Sequence, residues 1–520
     1  MSVVAACIIA IGVTLIVTER PETVPTSSDT ESAVSDITSK TSSDASSDIS
    51  SDVSSDTVSD TESETASGAS SVASATASKA PTTSKVVVDP PARTPIIEKS
   101  PLGGNYLNVG TDYVCEIVNY EDETFDWQGN NDYSKPTNNT LPIGTVDYCS
   151  SADVYNNDGK TYRVLRCGKR IYTVSLGKQR AVVKSAAQYG ALPSTNNVTI
   201  LSGGVSADGR YTELKLDVDW KAPFLLDVYP QEYASTADTS RNYTVSSVTY
   251  NYVDITFCYG VKNVTDDISR INFAGTPFSR AEWKKNTSDY TLRLFLRKTG
   301  GFYGWYADYD AAGNLVFHFL NPHKITVNAD GSVNLNGAVV YLDVGHGGGD
   351  SGAGGRDTSG KYYNESDMNL KLALLVRKYL VEYGATVVMS RTDNGSTTES
   401  VDCQQKLKNA KPDYALCIHH DSSGASVRGM EVFHFNAISS QAAKHIRAAT
   451  LNANVYTLVY GIRWHYYYCA KVPYCPVVLT ENGFMSNPTE VSTIIANDSA
   501  NAKRAKALAD GIVNYFKEIQ

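Results

Sequence analysis

The chain has 520 residues and a formal net charge of −10, with 42% hydrophobic and 20% charged residues. At roughly 100–200 residues per domain this length allows about two to four domains, with cores large enough to need no disulfide scaffold. The composition excludes whole-chain disorder, collagen and a multi-span membrane protein, and the acidity argues against a nucleic-acid partner, which favours a basic face.

Residues 1–18, MSVVAACIIAIGVTLIVT, carry no charged side chain. As a helix rising 1.5 Å per residue they span about 27 Å, close to the thickness of a bilayer core. A signal or anchor helix is expected over 1–18. No basic segment precedes the apolar run and no small-residue cleavage box follows it, which favours a retained membrane anchor over a removed leader. Residues 19–100 read as a disordered linker rich in Ser, Thr and Asp. Residues 19–99 hold 14 acidic and 6 basic side chains, so most of the net charge lies there. Ser-Ser-Asp recurs every four residues from Ser42, and a helix of that period would stack Asp44, Asp48, Asp52 and Asp56 on one face, where they repel. Such a segment cannot bury enough apolar surface to offset chain entropy.

All 51 aromatic residues lie beyond residue 105, where the pattern turns to β. In Tyr290–Lys298, Leu292, Leu294 and Leu296 share one face while Arg293 and Arg297 take the other, as in a half-buried strand. Leu315–Leu320 is a further strand. Asp158-Gly159 and Gly313-Asn314 supply turns. No helix is expected in this stretch. Two β units follow from this, a β-rich subdomain over 104–190 and a β-sandwich-like subdomain over 191–331, divided at the loop-like Leu192-Pro193-Ser194. Trp220, Trp283 and Trp305 are read as ordinary strand aromatics in preference to a sugar-stacking surface. His318 and His323 lack paired ligand spacing and are read as structural.

The nine cysteines are Cys7, Cys115, Cys149, Cys167, Cys258, Cys403, Cys417, Cys469 and Cys475. No C-x-x-C occurs, which removes zinc ribbons and thioredoxin-like redox motifs. Disulfides and buried thiols both stay open. Cys417 sits in an apolar strand and is read as core, not as a nucleophile.

From 338 onward strands and helices alternate. Strands are expected at Ala338–Val344, Ala385–Ser390, Tyr414–Ile418, Met430–Phe435 and Val477–Thr480. Helices are expected at Met368–Tyr383, closed by Gly384, and over Gln441–Asn452 and Ala500–Lys517. This is an α/β domain with a mostly parallel sheet flanked by helices. His346 follows the first strand, Glu365 opens the first helix, and His419 and Glu481 are expected to close two further strands. In α/β sheets such positions gather at one edge. Two His and one Glu suit a catalytic zinc with an open fourth position, and a second Glu off the metal can carry the proton that hydrolysis moves. Gly347-Gly-Gly349-Asp-Ser-Gly352 also fits G-x-G-x-x-G, but the loop is expected to continue through Gly354-Gly355 and Lys361 to Asn364 with no helix opening at once, and no P-loop Gly-Lys-Ser/Thr exists, so nucleotide binding is excluded.

Four motifs in order carry a resemblance: Tyr341–Ala353, Asn364-Glu365 with Asn369-Leu370, Cys417-Ile-His419, and Pro476–Pro488. Together they make 338–520 resemble the catalytic domain of zinc-dependent N-acetylmuramoyl-L-alanine amidases of the amidase-3 type. The resemblance implies that His346, Glu365 and His419 bind Zn2+ and that Glu481 is the catalytic carboxylate. The substrate it implies is peptidoglycan, cut between N-acetylmuramic acid and L-alanine. This sequence has Asp421 where the family commonly has Asn. His420 follows the matched His419 and should point to the opposite face of a strand. A non-catalytic wall-binding scaffold and a zinc peptidase acting on stem peptides are the alternative readings. Peptidoglycan places the expected site in the cell envelope, outside the cytoplasm, on a protein that is membrane-anchored or secreted. A β-sandwich module ahead of such a domain is a further, weaker likeness.

Overall fold

The computed structural model describes residues 96–99, 106–118, 122–126, 136–151, 154–155, 161–167, 170–175, 181–229, 250–262, 266–285, 289–396, 400–464, 467 and 469–520. The expected helix over 1–18, almost all of the linker and the Asp158-Gly159 turn lie outside the described residues. Among the described residues no helix is long and apolar enough to cross a membrane. Ile96–Lys99 is a strand, antiparallel to Tyr106–Val109, with Ile96 opposite Val109 and Glu98 opposite Leu107.

The next segment holds a three-stranded antiparallel sheet of Val146–Tyr148, Tyr113–Ile117 and Ala181–Ser185, beside a five-stranded one. Its small core, with Cys115, Ile117, Leu141 and Leu165, is completed by Leu225 and Tyr259 from further along the chain. The Tyr259 hydroxyl donates to Asp147 Oδ1 at 2.6 Å. The expectation of no helix here is corrected: Ala186–Tyr189 is a single helical turn. Ser185 and Gln188, three residues apart, form a reciprocal capping box that makes so short a turn hold. A 3-10 turn follows at Ile268–Arg270.

The described strands between residues 196 and 320 form two antiparallel-rich sheets that enclose an aromatic core. Phe224 meets Phe317 at 4.8 Å between ring centroids and Phe278 meets Phe319 at 5.0 Å. Leu292, Leu294 and Leu296 point into this core, and Arg293 faces out to pair with Asp254 at 2.6 Å. The strand ends at Leu296, two residues short of the expected Lys298. Trp305 is buried in the core, and Trp283 donates to Asp267 Oδ1 at 2.9 Å. His318 stacks on Tyr306 with centroids 4.3 Å apart.

Elements of the last domain are numbered within it. They are β1 (Val339–Val344), α1 (Glu365–Glu382), β2 (Thr386–Met389), α2 (Ser400–Ala410), β3 (Tyr414–Asp421), β4 (Met430–His434), α3 (Ser440–Ala453), β5 (Val459–Trp464), β6 (Val477–Phe484) and α4 (Asp498–Glu518). The sheet order is β2-β1-β3-β6-β4-β5, parallel throughout except where β4 runs antiparallel to β6. Every residue of β6 is buried, as in a strand covered on both faces. Four corrections follow. The helix expected from Met368 begins three residues earlier, because Asn364 takes the extended N-cap conformation and Glu365 and Asp367 suit the positive helix end. β3 and β6 run beyond His419 and Glu481, so these residues sit inside strands rather than closing them. The pairing shifts register between His419 and Asp421. Helix α2 and strand β5 were not anticipated, since α2 is mostly polar and β5 has Gly461 inside it. Between Gly352 and Asn364, where a continuous loop was expected, a hairpin pairs Gly354–Arg356 with Tyr362–Asn364.

The sandwich and the α/β domain share core. Ala437 and Ile438, just before α3, are buried among the sandwich aromatics, while Tyr211, Tyr303, Tyr306 and Leu320 belong to the core of the α/β sheet. The Trp305 amide donates to Pro473 O at 2.7 Å. Asp413 is gripped from both sides: it accepts from the Val339 amide at 2.7 Å and pairs with Arg210 at 3.1 Å. Its other neighbour is His323, at 3.7 Å.

Candidate metal and catalytic site

β1 delivers His346 on the turn beyond its end, at φ +62, a left-handed conformation uncommon for a side-chain-bearing residue. Arg391 holds that turn: it is buried and donates to Gly345 O at 2.9 Å and to Ser366 O at 2.8 Å. It therefore ties the end of β1 to the first turn of α1. Gly345 is required by close approach, because a Cβ there would overlap the His419 imidazole.

Glu365, at 2% exposure, lies between two imidazoles. Its Oε2 is 3.0 Å from His346 Nε2 and its Oε1 is 3.1 Å from His419 Nδ1. Donor atoms of all three residues lie within 4.8 Å of one another. Burial works to raise the Glu365 pKa, but the two imidazoles hold it well below the usual carboxylate range. Burial likewise works against His346, and Glu365 and Asp350 outweigh it, raising its pKa to about 9. The Asp350 carboxylate orients the far side of the ring, at 2.9 Å from Nδ1.

These donors suit a zinc ion. Ligands about 2.0 Å from a tetrahedral metal sit about 3.3 Å apart, close to the spacings here. His346 Nε2 is buried and has no hydrogen bond of good geometry. Two imidazoles and a carboxylate are also the donor types zinc takes.

Glu481 sits across the sheet from His419, one strand over in register. Its Oε2 is buried without a partner. Burial, and then the charges of Asp421, Glu365 and Glu431, push its pKa well above the usual carboxylate range. Spacing did not reveal Glu431. It lies opposite Glu481 because β4 runs antiparallel to β6, a pairing that no sequence interval announces. Burial raises its pKa to about 8, with Arg463, its ion-pair partner, pulling the other way and Asp421 pushing it up.

His420 faces away from the donors, as neighbouring strand positions must. Its Nδ1 is 2.6 Å from Asn369 Oδ1, and Asn369 in turn donates to Glu365 Oε1 at 3.1 Å. Burial, then Arg504, push its pKa well below that of a free histidine. Arg504 was not singled out from the sequence. It is fully buried and donates to Asn482 O at 2.6 Å, directly after Glu481. Asn482 then reaches across to His419 O at 3.1 Å, so β3 and β6 are locked beside the site. His318 and His323 lie elsewhere, in the sandwich and at its junction with the α/β domain.

Comparison with known proteins places the similarity in this domain. A family profile described as N-acetylmuramoyl-L-alanine amidase matches residues 340–514. The germination-specific N-acetylmuramoyl-L-alanine amidase of Bacillus subtilis is 32% identical over 225 residues, which is 40% of this chain and 92% of that protein. A probable cell wall amidase, LytH, of Staphylococcus aureus is 33% identical over 186 residues, 35% of this chain and 60% of that one. Among solved structures, the catalytic domain of CwlV from Bacillus (Paenibacillus) polymyxa var. colistinus is 30% identical, matching 35% of this chain and 98% of that domain with a TM-score of 0.32.

Proposed function

This chain belongs to the N-acetylmuramoyl-L-alanine amidase family of the amidase-3 type, and from that premise we propose that it hydrolyses the amide between N-acetylmuramic acid and L-alanine in peptidoglycan. The observation that carries the reading is the convergence of His346, Glu365 and His419, with Glu481 one strand away. His346, Glu365 and His419 would hold a zinc ion, whose bound form would supply Lewis acidity to the scissile carbonyl and the attacking water. Glu481 takes the proton from that water and delivers it to the leaving amide nitrogen. Burial and the neighbouring carboxylates raise its pKa, the direction that favours holding the proton between the two transfers. Asp350 and Asn369 hold His346 and Glu365 in orientation.

The domain organisation follows the same reading. Residues 1–18 anchor the chain in the membrane and 19–100 tether it. The units over 104–190 and 191–331 stand between tether and enzyme at 338–520. Peptidoglycan as substrate puts the working site in the cell envelope, outside the cytoplasm. The test is mass spectrometry of sacculi digested with the full chain. New free N-terminal alanine is expected. Cleavage only within stem peptides would mean a peptidase, and undigested sacculi would mean a scaffold.

A further inference from the structure

Arg463 is a cation beside the site that the hydrolysis above does not use. His419, Glu481 and Glu431 stand in one row across β3, β6 and β4, each directly opposite the next, so their side chains leave the same face of the sheet. Arg463 on β5 is in register with Phe433, two residues after Glu431, and so shares that face. Its Nη1 donates to Glu431 Oε1, which draws the guanidinium back towards the row. The guanidinium lies over the Tyr460 ring, 4.5 Å from the centroid, and this stacking fixes its plane. The side chain is 24% exposed, and among the described residues Nε and Nη2 hold no hydrogen bond. A guanidinium has N–H donors on more than one edge, so the edge turned away from Glu431 can take a second carboxylate. Burial holds the Glu431 pKa up at about 8, so near neutral pH much of the Arg463 charge is uncompensated.

We propose that Arg463 is a specificity residue: it binds a free carboxylate on the leaving stem peptide and so favours stems whose second residue carries that carboxylate over stems in which it is an amide. The inference rests on the amidase reading above. Glu365, Asp421, Glu431 and Glu481 crowd the site with carboxyl groups, and a substrate anion would be repelled there without a cation to receive it. Position narrows the choice of anion. Directly opposed strand residues stand about 5 Å apart at Cβ, so the guanidinium held on Glu431 lies one side chain beyond the group that protonates the leaving nitrogen. Two residues of extended peptide reach about 7 Å. The second stem residue, a glutamate linked onward through its side chain, carries its α-carboxyl at about that distance from the scissile nitrogen. That carboxyl is free in some walls and amidated in others. An amide has no charge and cannot offer two acceptor oxygens to the arginine fork, so Arg463 tells the two apart.

The test uses the full chain and soluble peptidoglycan strands from one bacterium, prepared with that carboxyl free and with it amidated. The readout is new free N-terminal alanine. Wild type is expected to favour the free acid by about tenfold or more in kcat/KM, carried mainly by KM, because the carboxylate is held equally before and during reaction. In Arg463→Gln the preference is expected to vanish. Equal kcat/KM for the two strands in wild type would overturn the proposal, and so would an undiminished preference in Arg463→Gln. An arginine that only supports Glu431 would slow both substrates together and leave their ratio unchanged. If Arg463→Gln does not fold, Arg463→Lys decides. It keeps the charge without the fork, so a preference smaller than that of wild type is expected, and an undiminished one would overturn the proposal. Release of alanine from neither strand by wild type would overturn the amidase reading instead.

Discussion

At the level of single residues, the site region is built from polar groups whose charge the fold controls. His434, buried on β4 with Nδ1 3.2 Å from Asn436 O, shows the energetic consequence. Burial lowers its pKa from 6.5 to about 4, against a smaller opposing pull from the Asn436 carbonyl. Between those values the unfolded chain binds a proton that the folded chain refuses. Stability therefore falls as pH drops from about 6.5 towards 4 and levels off below, by about 3 kcal/mol in all. Urea unfolding at pH 7 and pH 4.5 should show that loss, and His434→Gln should reduce it; an unchanged pH dependence in the variant contradicts the assignment. A second residue prediction concerns Arg504. Arg504→Leu strands the Asn482 carbonyl and Asn501 without their donor, and about 3 kcal/mol or more of stability should go with it in the same assay. His346, Glu365, His419 and Glu481 could be picked from the sequence because each stands in a short motif beside an apolar run. Arg391, Glu431 and Arg504 could not. Each acts on backbone or on a strand neighbour far away in sequence, and nothing local marks it.

At the level of elements, strands and helices with strong apolar periodicity were legible, and boundaries set by caps and bulges were not. Glu365 looked like a loop exit because the apolar period begins only at Met368, yet the Asn364 cap makes it the first helical residue. Helix α2 has too few apolar positions to show a period, although it carries Cys403. The turn before Trp305 is an element with a testable constraint. Gly304 has φ +142, and a Cβ there would collide with the Tyr474 carbonyl oxygen of the α/β domain. Gly304→Ala is expected to cost about 2–3 kcal/mol through strain and loss of the adjoining Trp305–Pro473 hydrogen bond. A midpoint equal to wild type in thermal unfolding would contradict that seam.

For the molecule as a whole, composition separated an acidic N-terminal segment from a nearly neutral remainder, and alternation separated β from α/β. It did not reveal that the sandwich and the α/β domain interlock. That depends on Ile438 entering one core and Tyr211, Tyr303 and Tyr306 entering the other, contacts between residues more than a hundred positions apart. Residues 338–520 expressed alone would expose those apolar faces and leave Asp413 without Arg210. The fragment is expected to unfold at a markedly lower temperature than residues 191–520, with more aggregation, by calorimetry and light scattering. Equal stability of the two fragments would show that the sandwich is not a buttress. Digestion rates of the two are then comparable only below the unfolding temperature of the shorter one.

The central claim is that Glu481 moves the proton while His346, Glu365 and His419 hold the metal. The most direct measurement is zinc content and sacculus digestion by the full-length Glu481→Gln protein beside wild type. Equal zinc, with release of stem peptides reduced by about a thousandfold or more, is the predicted result. Wild-type digestion by the variant, or loss of its zinc, would contradict it.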